Sequence, residues 1–345
     1  MTGAPPLLVE VTRGELVESV HRVAACAVDA NGNLLYGVGE IDVPVYLRSA
    51  AKPFIAAAAI EAGVIDAFGL DAREIAVMAA SHSGESIHVQ AVQSLMQKIG
   101  MDVSALQCGV HMPYDERSAN ELRRAGAEPT ALHNNCSGKH AGILALCKVL
   151  GADPTTYLSE RNPAQWRILE FCARLSDDDP ESWPIAVDGC GIPVYATSLR
   201  KAAHSFARLA SLTDVRPSDA AALRIVRDAM AAHPQYVAGS GQFDTELMIA
   251  GKGTIASKAG AEGMHGVAAM APGYGYASKV LDGSSRARGP STIAALRRLG
   301  VLDESQTAEL VRFARPRVYN RAGYAVGEVR VAAQNGVEET RKIGL

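Results

Sequence analysis

The chain has 345 residues, 48% of them hydrophobic and 21% charged, with a formal net charge of −3. That is enough apolar side chain for one large or two modest domains with a real core, and the slightly acidic balance, without a Lys/Arg cluster interleaved with aromatics, argues against nucleic-acid binding. No apolar run approaches the ~20 residues of a membrane span, and Met1-Thr2-Gly3-Ala4-Pro5-Pro6 shows no basic stretch leading into an apolar core, so neither a membrane nor a secretory signal is expected and a cytoplasmic location is.

In chain order, residues 7–47 read as strands. Apolar runs at 23–29 and 33–38 flank Ala30-Asn31-Gly32, and Asn-Gly between such runs predicts a hairpin. An Ala-rich helix follows Ser49. Residues 72–150 read as mostly helical, as do 154–178 and 197–232, where Ser218-Asp219-Ala220 is a start signal. Asp177-Asp178-Asp179-Pro180 reads as a solvated loop. After about residue 250 short Gly-punctuated strands return, at 253–258 and 265–270. A helix from Thr292 to Leu299 and a last helix from Ser305 then precede a basic C-terminus. Strands at both ends with helices between predict an α+β fold, a helix–sheet sandwich in one catalytic domain over 1–345. Its sheet comes from about 1–80 and 235–345, and a helical region of about 81–234 is inserted.

Four segments carry chemistry. Ser49-Ala50-Ala51-Lys52 puts a hydroxyl and an amine at i and i+3, where they share a helix face. The positive end of a helix disfavours the ammonium form of Lys52, and a neutral lysine can take the serine proton. The plainer alternative is an N-cap serine followed by a solvated lysine. Ser81-His82-Ser83-Gly84-Glu85 follows a buried-looking apolar run; it offers a second nucleophile, a proton relay or substrate hydrogen bonds, or else caps the next helix. Asn134-Asn135-Cys136-Ser137-Gly138-Lys139-His140 lacks the phosphate-loop pattern, which excludes nucleotide binding on that ground. Cys136 and Lys139 would face one point if helical. Cys190, in Val187-Asp188-Gly189-Cys190-Gly191, could approach them to hold zinc, although the spacing is no zinc-finger pattern and buried inert thiols are the alternative. Six cysteines without regular spacing predict thiols rather than a disulfide framework. Ser257-Lys258-Ala259-Gly260 ends a strand: its lysine either places charge near a substrate carboxylate or is an ordinary surface lysine. His233-Pro234, followed by Val237-Ala238-Gly239, reads as a loop on the substrate side.

Taken together and in this order, Arg48-Ser49-Ala50-Ala51-Lys52-Pro53, Ala80-Ser81-His82-Ser83, Asn135-Cys136-Ser137-Gly138-Lys139-His140, Asp188-Gly189-Cys190, His233-Pro234 and Lys258-Ala259-Gly260-Ala261 resemble the asparaginase II family, the rhizobial inducible type, over most of the chain. The resemblance implies an antiparallel sheet with helices around it, similar to serine β-lactamases and glutaminases. It also implies hydrolysis of L-asparagine to aspartate and ammonia, and a homodimer. By the same resemblance Ser49 and Lys52 form one serine–lysine pair and Ser81 with Lys258 a second. Cys136, Lys139 and Cys190 hold a zinc ion, and Arg48, His82, Asn135, Asp188 and Gly239 serve the substrate. Two other expectations stay open: a glutaminase or other Ser-x-x-Lys acyl hydrolase of the same fold, and a catalytically inactive zinc- or ligand-binding homologue.

Overall fold

A computed structural model describes residues 5–333. Its main sheet is antiparallel, with strand order β10-β11-β1-β2-β9-β8-β7 and β3 added to β2. The strands are β1 (Leu7–Arg13), β2 (Leu16–Val28), β3 (Leu34–Val38), β7 (Ile255–Ala259), β8 (Met264–Ala269), β9 (Tyr274–Val280), β10 (Arg317–Tyr319) and β11 (Ala325–Val331). The two ends of the sequence thus build one sheet, as the pattern predicted. The 30–33 hairpin forms: Asp29 Oδ1 accepts from the Asn31 and Asn33 backbone N–H groups, and β2 and β3 pair from Ala25 with Val38.

Residues 23–28 of β2 are apolar without alternation because helices cover both faces of this central strand. The helices in chain order are α1 (Lys52–Glu61), α2 (Val64–Phe68), α3 (Ala72–Met78), α4 (Ser86–Lys98), α5 (Glu116–Arg124), α6 (Ser137–Leu150), α7 (Pro163–Arg174), α8 (Leu199–Ser211), α9 (Pro217–Ala232), α10 (Pro234–Val237), α11 (Phe243–Ala250), α12 (Arg288–Arg298), α13 (Glu304–Glu309) and α14 (Val311–Ala314). On β8 the neighbours His265 and Gly266 point oppositely. Phe206 of α8 packs over Gly266, while His265 Nδ1 lies 2.9 Å from Thr292 Oγ1 of α12. A strand's period of two therefore places α8 and α12 on opposite faces. Among the described residues no helix is long and apolar enough to cross a membrane.

The structure departs from the sequence-based assignment in three places. A small antiparallel sheet, β4 (Pro44–Tyr46), β6 (Pro193–Ser198) and β5 (Ile185–Val187), stands where helix was expected to begin at 197. Ser198 is the N-cap that starts α8, its side chain accepting from Lys201 N, so strand gives way to helix one residue later. Strands β9, β10 and β11 were not anticipated; the basic segment after 333 lies outside the described residues. The Asp177-Asp178-Asp179 run is a loop, yet an anchored one. Asp177 pairs with the buried Arg208 at 2.8 Å, and Asp178 meets Lys201 and accepts from Trp183 Nε1. All six cysteines are buried and none forms a disulfide.

Candidate active site

Ser49 sits in a 3₁₀ turn, Arg48–Ala51, that runs directly into α1. Pro53 occupies the first turn of α1, where a missing N–H is tolerated. Arg48 has φ +49, a left-handed conformation that is uncommon for a side chain of this kind, and its Nε donates to Asp188 Oδ1 at 2.7 Å. Backbone strain next to Ser49 is thus held in place by an ion pair.

Lys52 points inward from this turn and is buried. Its Nζ lies 2.9 Å from Ser81 Oγ, 3.2 Å from Cys136 Sγ and 3.4 Å from Asn135 O, and donates to Ala80 O as well. The i, i+3 spacing predicted contact with Ser49. The amine turns instead to Ser81 and to a carbonyl left open just past the end of α3. Burial lowers the Lys52 pKa, and the nearby Lys139 adds to this while the cysteine sulfurs oppose it.

Ser49 and Ser81 are both half-buried and line one cavity of about 270 Å³ with Asn135, Asp244, Lys258 and Arg288. Lys258 is fully buried on β7 rather than at the surface. Its Nζ donates to Ala259 O at 2.7 Å, and among the described residues no hydrogen bond joins it to Ser81. Burial pushes its pKa down to about 7, against the upward pull of the Asp244 carboxylate.

Asp244, on α11, is a residue the motifs did not single out. Its Oδ1 accepts from Ser257 Oγ at 2.7 Å and lies 2.9 Å from His265 Nε2, and its Oδ2 accepts from Ala259 N at 2.7 Å. The Asp244, Ser257 and His265 side chains are all buried, so the carboxylate fixes the strand that carries Lys258. Glu85 does a similar job on the other wall. Its carboxylate accepts from Ser83 Oγ, Ser240 N and Ser240 Oγ, each at 2.7 Å, and so clamps the 238–242 loop across the second serine segment. The long-range half of each role has no local pattern: Asp244 reaches Ala259, Ser257 and His265, and Glu85 reaches Ser240, through tertiary contacts.

Two expected substrate contacts are placed elsewhere. His82 is fully buried, with Nε2 2.9 Å from Ser137 Oγ and Nδ1 accepting from Gly84 N at 3.2 Å. Burial and the stacked His88 ring hold its pKa well below the ordinary histidine value, so a neutral imidazole wedges the two loops together instead of touching substrate. Gly239 has φ +117, and a Cβ there would collide with Ser83 Oγ; its carbonyl accepts from Thr245 Oγ1 at 2.7 Å. This glycine permits close loop packing, and its carbonyl is already engaged. Asn135 does line the cavity, while Arg48 and Asp188 line a narrow cleft on the far side of Ser49.

That cleft borders the cysteine set. Cys136 caps the N-terminus of α6, and Lys139 one turn on donates from Nζ to Cys190 Sγ at 2.8 Å. The neighbouring Cys190 thiol holds Cys136 well below its usual pKa, helped by Lys139 and Lys52, while the same interaction raises Cys190. Burial alone would lower the Lys139 pKa, but the two sulfurs outweigh it and the net shift is upward. Two soft sulfurs and an amine converging in a dry site, with Asp188 Oδ2 3.8 Å from Cys190 Sγ, form a donor set that suits zinc.

The L-asparaginase II family model matches residues 9–331. The chain belongs to the L-asparaginase II family. That is a family of amide-hydrolysing enzymes, and the match spans both serine segments, both lysines and the cysteine set. No curated protein sequence matches this family member. Among solved structures, Mglu in its native form in 4.3 M NaCl aligns with 18% identity and a TM-score of 0.43 over 81% of this chain and 60% of its own. Mglu in its tris and glutamate form gives 17% and 0.43 over the same shares. A β-lactamase-like protein from Bacteroides dorei DSM 17855 gives 13% and 0.39 over 75% of this chain and 85% of its own. The chain therefore spans less than two thirds of the length of the Mglu chains.

Proposed function

We propose that this asparaginase II member hydrolyses the side-chain amide of L-asparagine by serine–lysine acyl transfer in the cavity shared by Ser49 and Ser81. The observation that carries this is the convergence of two serine hydroxyls and the buried Lys258 on one small-molecule-sized cavity, with the buried Lys52 behind it at 2.9 Å from Ser81 Oγ and both lysine pKa values lowered. Ser49 Oγ attacks the amide carbon and its proton passes to the Lys52–Ser81 pair. Ammonia leaves after protonation, and water then hydrolyses the β-aspartyl ester. The 2.9 Å contact between Lys52 and Ser81 favours one other reading, in which Ser81 is the nucleophile and Ser49 the relay.

Ammonia release from L-asparagine and L-glutamine, run beside hydrolysis of a β-lactam, tests the substrate class. Asparagine should be turned over fastest; preferential turnover of glutamine or the β-lactam would replace this proposal by its nearest rival.

The pH dependence follows from Lys258. A lysine with a pKa of about 7 is mostly protonated at pH 6 and mostly neutral at pH 8. If its neutral amine accepts a proton during turnover, kcat should climb between those values and level above them. In Lys258→Met that limb should be gone, and a limb of unchanged position in the variant would show that Lys258 is not the titrating group.

Cys136, Cys190 and Lys139 would hold zinc, which would supply a fixed positive charge beside Ser49. Lys139 must bind metal as a neutral amine, and its ammonium is stabilised by the sulfurs, so loading should release protons and tighten as pH rises. Elemental analysis should find zinc in the wild type and lose it in Cys136→Ala; stoichiometric zinc retained by the variant would refute this ligand set.

A further inference from the structure

Arg288 opens α12 and lines the cavity that holds both serines. A cation is the wrong charge for a helix N-terminus, so it does not stabilise α12 there. Among the described residues the single hydrogen bond of its guanidinium runs from Nη2 to Gly260 O at 2.8 Å, and Nε is shielded from solvent without a partner. A guanidinium carries five N–H donors, and withdrawing it from water without an anion is costly. The carboxylate that reaches it electrostatically, Asp244, is already committed at both oxygens to Ser257, His265 and Ala259.

The other cations near the serines are engaged. Arg48 pairs with Asp188, Lys52 with carbonyls, a hydroxyl and a sulfur, and Lys139 with Cys190. Lys258 sits buried against Ala259 O and near Lys52, Asp244, Arg288 and Cys136, and its charge changes around neutral pH. Arg288 is therefore the permanent positive charge in this cavity with donors to spare. Its position relative to the chemistry is fixed through Gly260. A Cβ on that glycine would lie 3.0 Å from Leu47 O and 3.2 Å from Ala50 N, so the residue gripped by Arg288 rests against the turn that carries Ser49.

We propose that Arg288 binds the α-carboxylate of the amino-acid substrate, which makes the cavity selective for free amino-acid amides over carboxyl-blocked or peptide-internal ones. This inference rests on the asparaginase proposal and adds the residue that reads the substrate's far end. A planar fork facing a carboxylate gives two parallel hydrogen bonds, which fixes the substrate's orientation as well as its affinity.

The test compares kcat/KM for L-asparagine and its α-methyl ester in the wild type, Arg288→Gln and Arg288→Lys. The wild type should prefer the free acid strongly. Arg288→Gln should lower kcat/KM for L-asparagine by about 10²-fold, mainly through KM, and change the ester by only a few-fold, so that the preference collapses. Arg288→Lys should recover part of it. Ester turnover within a few-fold of wild type shows that each variant is folded, and the lysine variant serves if the glutamine one is not. Equal losses on both substrates, or a wild-type preference that survives Arg288→Gln, overturn the inference while leaving the asparaginase proposal standing. A wild type that releases ammonia from neither compound overturns both.

Discussion

Ser49→Ala is expected to lower kcat for L-asparagine by about 10³-fold or more while leaving the melting temperature close to wild type. Among the described residues no hydrogen bond ties down the Ser49 hydroxyl, so removing it leaves no buried donor or acceptor stranded. The loss should therefore be chemical, not structural. Steady-state ammonia release and a thermal melt on the same preparation separate the two. Ser81→Ala should behave differently: it takes away a partner of the buried Lys52, so it should lose activity and disturb the pH profile as well. Turnover unchanged in Ser49→Ala would remove that residue from the mechanism.

Lys52→Met should cost about 10²- to 10⁴-fold in kcat, the usual range for a general base. Methionine matches the four-atom stem of the lysine at the start of α1 and lacks only the terminal nitrogen, so the apolar fill is kept and the fold should survive. It cannot take a proton from either serine. Lys52→Arg should be just as inactive, because a guanidinium stays charged at any working pH and cannot act as a base. Circular dichroism on both variants controls for the freed carbonyls of Ala80 and Asn135. An arginine variant with near-normal kcat would show that Lys52 contributes only charge.

The parts of the site that the sequence announced are those with a local signature. Ser49 with Lys52, Asn135 with Cys136 and Lys139, and Asp188 with Cys190 each lie within one turn or loop, and the structure brings these segments together around one cleft. Asn31-Gly32 announced its hairpin in the same way. What stayed hidden depends on long-range contact. Asp244 reaches Ala259 across 15 positions, and Glu85 reaches Ser240 across 155. Arg288 matters because it faces a cavity, and nothing around it in sequence says so. His82 shows the reverse error. An imidazole between two serines looks like chemistry, yet both its nitrogens are spent on Ser137 and Gly84 inside the core. Strand β11 was legible in principle: Val329 and Val331 alternate with Glu328 and Arg330, a period of two. Its place beside β1 is secured by Val9↔Val331 and Val11↔Val329 register, which only the fold reveals.

The central claim is that a serine in this cavity carries the substrate's acyl group. Rapid acid quench of wild-type enzyme turning over L-asparagine, followed by peptide mass spectrometry, tests it most directly. A β-aspartyl adduct on the peptide containing Ser49 is the predicted result. An adduct on the Ser81 peptide would exchange the roles of the two serines. Full asparagine turnover with no acylated serine in either peptide, including under conditions that slow hydrolysis of the ester, would contradict the account.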